Sequence, residues 1–231
     1  LLDDFMGSIS AYEHYSKTSK PAKYPTNEAF KNAQISFFNT VRKKINIPIL
    51  ANIDGISVTL DPEVFRQMAV AAGGVESEVY PEEMPIEDMR KFLEVVEKIP
   101  KDKHIFIGSK PSPGWAGDID KTLFAYYSYL LFADIDREAY WTYKEGASDI
   151  PHYWFKEFDL NLGKSMGPYK EVNELFVREF ENAIVVVNAD SDNLHEFQPQ
   201  NADTFYDVAG NPLSLPVTLE PRSAILAVKN P

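Results

Sequence analysis

Ala72-Gly73-Gly74-Val75-Glu76-Ser77-Glu78-Val79-Tyr80, residues 72–80, is the stretch on which the fold reading turns. Before it, Asp61-Pro62 opens a helix, with Asp as N-cap and Pro at the first helical position. Val64, Phe65, Met68 and Ala72 recur at helical spacing and form its inner face. Gly73-Gly74 ends that helix, and Val75–Tyr80 reads as a strand bearing two acidic residues. Beyond it Met89, Phe92, Val95, Val96 and Ile99 line one side of a second amphipathic helix, Pro85–Ile99.

The same alternation continues in both directions. Upstream, Leu1–Asp4 reads as a strand end, and residues 8–25 form a polar loop rich in Tyr and Lys. Thr26 then precedes a helix whose apolar positions are Phe30, Phe37, Val41 and Ile45, and Ile47–Asn52 is a short apolar strand. Downstream come a strand at His104–Gly108, a Pro/Gly-rich loop at Lys110–Asp118, a mostly buried helix at Asp120–Phe132 and a strand at Glu138–Tyr143. Strands separated by helices imply a parallel sheet, because parallel neighbours need a long crossover. Five such strands fit strands four to eight of a (β/α)₈ TIM barrel; an open doubly wound sheet fits the same spacing. The opening Leu1-Leu2-Asp3-Asp4-Phe5 lacks a Met and reads as the end of a buried strand, so an amino-terminal half of the barrel is expected upstream.

After Tyr143 the period changes. Pro151–Phe158 reads as a short aromatic helix, followed by an irregular linker at Leu160–Val172. Short strands are expected at Phe176–Phe180, Ala183–Asn188, Thr204–Asp207 and Ala224–Val228, with turn residues between them. The expected organisation is α/β: a partial barrel over residues 1–172, then a small antiparallel β-sandwich over 173–231.

Composition narrows the function. The 231 residues are 44% hydrophobic, 25% charged and 13% aromatic, a globular balance. A net charge of −12 repels phosphate backbones and anionic lipid, so nucleic acid and membrane surfaces are poor partners. No run approaches the length of a membrane span. Neutral saccharides and cationic amino sugars suit the charge, which also serves solubility alone. Cysteine is absent, which excludes disulfides, thiolate metal sites and a cysteine nucleophile. His14, His104, His152 and His195 show no ligand spacing, and no phosphate-binding glycine motif or serine elbow occurs, so neither metal nor cofactor is expected.

In parallel β/α folds the chemistry gathers at the carboxyl ends of strands. Polar residues follow the strand cores here: Asp3 and Asp4, Asn52 and Asp54, Glu76 and Glu78, Ser109 and Lys110, with Tyr140 and Tyr143 in the last strand. Carboxylates from different strands supply the acid and the base or nucleophile that glycosidic cleavage requires. Lys110 is placed to pair with Glu76 or Glu78, or to serve as a surface lysine. Trp115, at the tip of Ser112-Pro113-Gly114-Trp115, is the best candidate for stacking on a sugar ring. Trp141 and Trp154 read as packing residues.

Leu1-Leu2-Asp3-Asp4 resembles the end of the D-G-V-F-L-D-[DN] strand of TIM-barrel glycosyl-hydrolase-like families and their relatives, the endo-polygalactosaminidase group. Gly74-Val75-Glu76 is similar to their later strand ending in an acidic residue. Tyr126-Tyr129-Leu130-Leu131 through Tyr140, then Leu160-Asn161-Leu162-Gly163 with Gly167, resembles their "sLL…a.y…dlG.p.G" segment. Arg178-Glu179-Phe180-Glu181-Asn182 with Val185–Asn188 resembles the opening of their tail domain, with Ala183 in place of the usual glycine. Tyr206–Pro212 and Leu219–Ala224 continue the likeness, which thus runs along nearly the whole chain.

The resemblance implies a glycoside hydrolase acting on an oligo- or polysaccharide, outside the cell or at its surface. It assigns Asp3 and Glu76 as the acid/base and nucleophile pair with roles open, and Asp4 and Glu78 as alternates. Asn52, Lys110, Trp115 and Tyr140 are the substrate-binding candidates. The rival reading is a non-catalytic carbohydrate-binding or structural module derived from such a barrel, since five strands cannot close one.

Overall fold

The computed structural model describes residues 2–5, 9, 23–47, 49–53, 61–78, 80–81, 84–109, 119–134, 136–143, 154–200 and 204–229. It divides into two compact units, Leu1–Tyr80 with Glu87–Ser109 and Asp136–Thr142, and Pro81–Ile86 with Lys110–Ile135 and Tyr143–Pro231. Among the described residues no helix is long and apolar enough to cross a membrane.

The first unit is built on a five-stranded sheet. Its strands are β1 (Leu2–Phe5), β2 (Ile49–Ile53), β3 (Gly73–Ser77), β4 (His104–Ser109) and β5 (Ala139–Tyr143), ordered β1-β2-β3-β4-β5. Pairs β1–β2, β2–β3 and β3–β4 are parallel. Helix α1 (Asn27–Arg42) joins β1 to β2, α2 (Pro62–Ala72) joins β2 to β3, and α3 (Ile86–Glu97) joins β3 to β4. Among the described residues the sheet order follows the chain order, with β1 at one edge.

Strand alternation gives the sheet two different faces. Ala51, Ile53, Val75, Ile105 and Ile107 are fully buried on one. Phe5, the register partner of Ile53, lies 4.6 Å from the ring of Phe38 on α1, so this is the helix-covered face. Under it α2 contributes Val64, Phe65, Met68 and Ala72, and α3 contributes Met89, Phe92, Leu93 and Val96, all buried. Leu50, Asn52, Gly74, Glu76, His104 and Phe106 occupy the other face, in the registers Leu50–Gly74–His104 and Asn52–Glu76–Phe106.

Local chemistry explains the element ends. Thr26 caps α1, its hydroxyl accepting from the Ala29 N–H at 3.2 Å. Pro62 begins α2 as expected, but the Asp61 carboxylate makes no cap and lies 3.5 Å from Lys31 Nζ instead. Gly73 closes α2 at φ +97° and is already the first residue of β3, so the strand begins two residues before the position that Val75 suggested. A left-handed glycine turns helix into strand with no loop between them. In α1 the buried residue is Phe38, whereas Phe37 is exposed although both rings meet Phe5, at 4.6 Å and 6.0 Å, and Ile45 is exposed beyond the helix end at Arg42.

The second unit holds α4 (Ile119–Leu130), a 3₁₀ turn (Lys156–Asp159), a four-stranded sheet and a two-stranded one. The larger sheet is ordered β11-β8-β7-β6: β11 (Ser223–Val228), β8 (Ala183–Asn188), β7 (Leu175–Glu179) and β6 (Lys170–Val172), all antiparallel. The smaller pairs β9 (His195–Phe197) with β10 (Val217–Leu219). Leu175, Val177, Ile184, Val186 and Ala227 from one face pack with Phe197, Phe205 and Leu219. The opposite face carries Phe176, Arg178, Val185 and Leu226, and α4 packs there against β8 and β11. Every residue of β8 is buried for this reason. Arg178, also buried, donates to Leu130 O and Gly167 O, each at 3.2 Å, and to Ser165 Oγ at 3.1 Å. Thr204–Asp207 is not a strand; Tyr206 alone bridges Val228 and Pro212.

Gly74 is the tightest point of the first sheet. A Cβ there would lie 2.6 Å from Leu50 Cδ2 and 2.9 Å from His104 Cβ. Gly74→Ala is expected to cost about 1–3 kcal/mol by overpacking, read as a lower urea midpoint with unchanged slope; an unaltered midpoint would contradict this packing.

Candidate functional site

Glu76 sits near the end of β3, and its neighbour across the β2–β3 ladder is Asn52. Both are 6% exposed, so a carboxylate and an amide sit side by side, nearly buried, on the sheet face opposite Phe5, Ile53 and the described helices. Gly108 of β4 lies alongside, where a Cβ would meet Glu76 Oε1 at an ordinary contact distance of 3.5 Å. Glu78 follows just beyond the strand and is partly exposed. The backbone of Asp3 and Asp4 runs in β1, directly after Leu2, the register partner of Ala51; their side chains lie outside the described part of the structure. Lys110 and Trp115 lie outside the described residues.

Tyr140 is engaged at a different level. Its phenol donates to Glu138 Oε2 at 2.7 Å, and that carboxylate also stands 3.5 Å from His104 Nδ1, at the amino end of β4. The hydrogen bond to Glu138 pushes the phenol pKa upward and keeps it a donor. On the helix-covered side, buried Ser109 donates to Tyr80 O at 2.8 Å and accepts from Trp141 Nε1 at 3.0 Å, which locks Trp141 as a wall residue. The sequence offered Lys110 as a partner of Glu76 or Glu78, or as a surface lysine, and gave no sign of the His104–Glu138–Tyr140 group. Residues 104 and 138 meet only through strand pairing, which no local pattern reports.

A second cluster lies in the other unit. Glu174, Asp190 and His195 bring one ligand-type atom each within 4.8 Å of the others. They come from the β6–β7 turn, the end of β8 and the start of β9, so their spacing forms no motif. Asn173 and Glu174, at φ 50° and 62°, make the left-handed two-residue turn. Asp190 is fully used as an acceptor. One oxygen takes the Asp192 and Asn193 N–H groups at 2.8 and 3.2 Å, and the other takes Asn193 Nδ2 and His195 Nε2 at 3.0 and 3.2 Å. The Asp192 N–H foremost, then Asn193 and His195, hold its carboxyl well below the usual carboxylate range. This cluster closes a loop.

The class defined so far is an α/β protein whose parallel sheet carries a carboxylate and an amide side by side near the ends of neighbouring strands. The chain belongs to hypothetical glycosyl hydrolase family 15, whose model matches residues 1–184. No curated protein matches it.

A carboxyl with a depressed folded pKa stabilises fully above its unfolded value and loses that contribution as pH falls toward the folded value. The melting-temperature gap between wild type and Asp190→Asn should therefore narrow between about pH 6 and about pH 3. A gap constant over that range would contradict the capping role.

Proposed function

We propose that the chain is a glycoside hydrolase that cleaves a glycosidic bond in an oligo- or polysaccharide, with Glu76 as one of its two catalytic carboxyl groups. The observation that carries the reading is the nearly buried Glu76 carboxylate beside Asn52, near the carboxyl ends of neighbouring parallel strands in a member of a glycosyl hydrolase family. In such a reaction one carboxyl protonates the leaving oxygen, while the other attacks the anomeric carbon or removes a proton from attacking water. Asp3 is the proposed partner on the strength of the sequence resemblance, with Asp4 and Glu78 as alternates. Asn52 would hold a hydroxyl of the bound sugar. Lys110, Trp115 and Tyr140 are the further substrate contacts proposed, Tyr140 as an acceptor, since its one O–H already goes to Glu138.

The sheet is proposed to be an arc of a (β/α)₈ barrel. Its support is the sequential order from β1 at the edge to β5, where a doubly wound sheet would reverse at a switch point. We assign residues 1–172 to the catalytic part and residues 173–231 to an appended β-sandwich. The relation to the endo-polygalactosaminidase group rests on sequence resemblance alone, and the sugar and linkage follow from substrate screening.

The test is reducing-end release from a panel of glycans by wild type, Asp3→Asn and Glu76→Gln. Each substitution should lower turnover by about 10²–10⁴-fold with an unchanged melting temperature. Turnover equal to wild type in Glu76→Gln removes the assignment.

A further inference from the structure

Trp154 is 74% exposed, the highest value among the large hydrophobic side chains of the described residues. The short aromatic helix read from the sequence would have packed this ring away. The described part of that segment is instead a 3₁₀ turn, Lys156–Asp159, and Trp154 stands before it. An indole left in water forgoes the burial that usually places tryptophan inside.

This ring is nevertheless held in place. Its Nε1 donates to Asp159 Oδ2 at 2.9 Å. It meets Phe158 edge to face, with centroids 5.5 Å apart and planes at 88°. Phe158 in turn meets Tyr126 of α4 at 4.7 Å and Phe155 at 5.4 Å. The Tyr127 hydroxyl, also on α4, reaches Glu157 Oε1 at 3.5 Å and ties down the same turn. A fixed aromatic plate thus stands in solvent with the carboxylates of Asp159 and Glu157 in its own turn.

We infer that Trp154 is a stacking platform for a non-acidic hexopyranose chain, with Asp159 receiving hydroxyl or ammonium groups at the ring's edge. The apolar C–H face of a pyranose matches a flat indole, and a preset ring spares the ordering cost of binding. Acidic chains are excluded by the adjacent carboxylates and by the net charge of −12. The ligand class rests on the glycoside-hydrolase reading, whereas the position rests on the aromatic geometry alone.

The test uses the full chain with 5-fluorotryptophan at its three tryptophans. Glu76→Gln is the background throughout, so that binding is scored without turnover. Hexamers of glucose, glucosamine and galacturonic acid are titrated by ¹⁹F NMR and calorimetry, with Trp154→Phe assigning the resonance. The inference predicts a saturable shift of the Trp154 signal with the glucose or glucosamine hexamer. It also predicts affinity about tenfold weaker in Trp154→Ala, and partly retained in Trp154→Phe. A Trp154 signal unmoved by both hexamers overturns the platform, as does Trp154→Ala binding like its parent. Galacturonate binding as tightly as the neutral hexamer overturns the exclusion of acidic chains. Hydrolysis surviving in Glu76→Gln would sink the catalytic assignment and leave the Trp154 result standing.

Discussion

The site depends on how closely β2, β3 and β4 approach one another at Gly74. With no side chain there, Leu50 and His104 fill the space from either side, and the three strands lock in one register. That register makes Asn52 and Glu76 neighbours. A slip of one residue in β3 would turn Glu76 toward the helices and bring Val75 to the polar face. Gly73 serves the same end from a different direction, since its left-handed φ lets β3 start where α2 stops and removes any slack that could shift the strand.

The second unit solves a different problem. A small antiparallel sheet needs a buried apolar face or a packed helix to be stable in water. Here β8 is covered twice, by α4 on one face and by the β9–β10 side on the other. Arg178 satisfies the carbonyl end of α4 at Leu130 and the backbone at Gly167 from a buried position, so its guanidinium does the work of a helix C-cap. Asn188, buried at the end of β8, brings its amide nitrogen within 3.1 Å of the Asn193, Leu219 and Glu220 carbonyls and fastens the sheet to its neighbouring loops.

Elements governed by local chemistry were legible in the sequence. Thr26, Pro62 and Gly73 mark helix ends because caps, fixed φ and left-handed turns act within one or two residues. All five strands of the first sheet lie where the apolar runs placed them, to within a few residues. The candidate acid Glu76 and amide Asn52 could be named from their positions after apolar cores, but their pairing is a property of register and was invisible. β6, β9 and β10 are three residues each, too short for alternation to register. Trp154 shows the reverse error, where an apolar residue in an aromatic run suggested burial and the 3₁₀ turn left it in solvent.

The most direct measurement is an experimental structure of the Glu76→Gln protein with its saccharide bound. The account predicts the glycosidic oxygen or anomeric carbon within about 3–3.5 Å of the residue 76 side chain, with the Asn52 amide on an adjacent hydroxyl. A saccharide that leaves residue 76 shielded from every sugar atom, on the far side of β3 or against the helices, would contradict it.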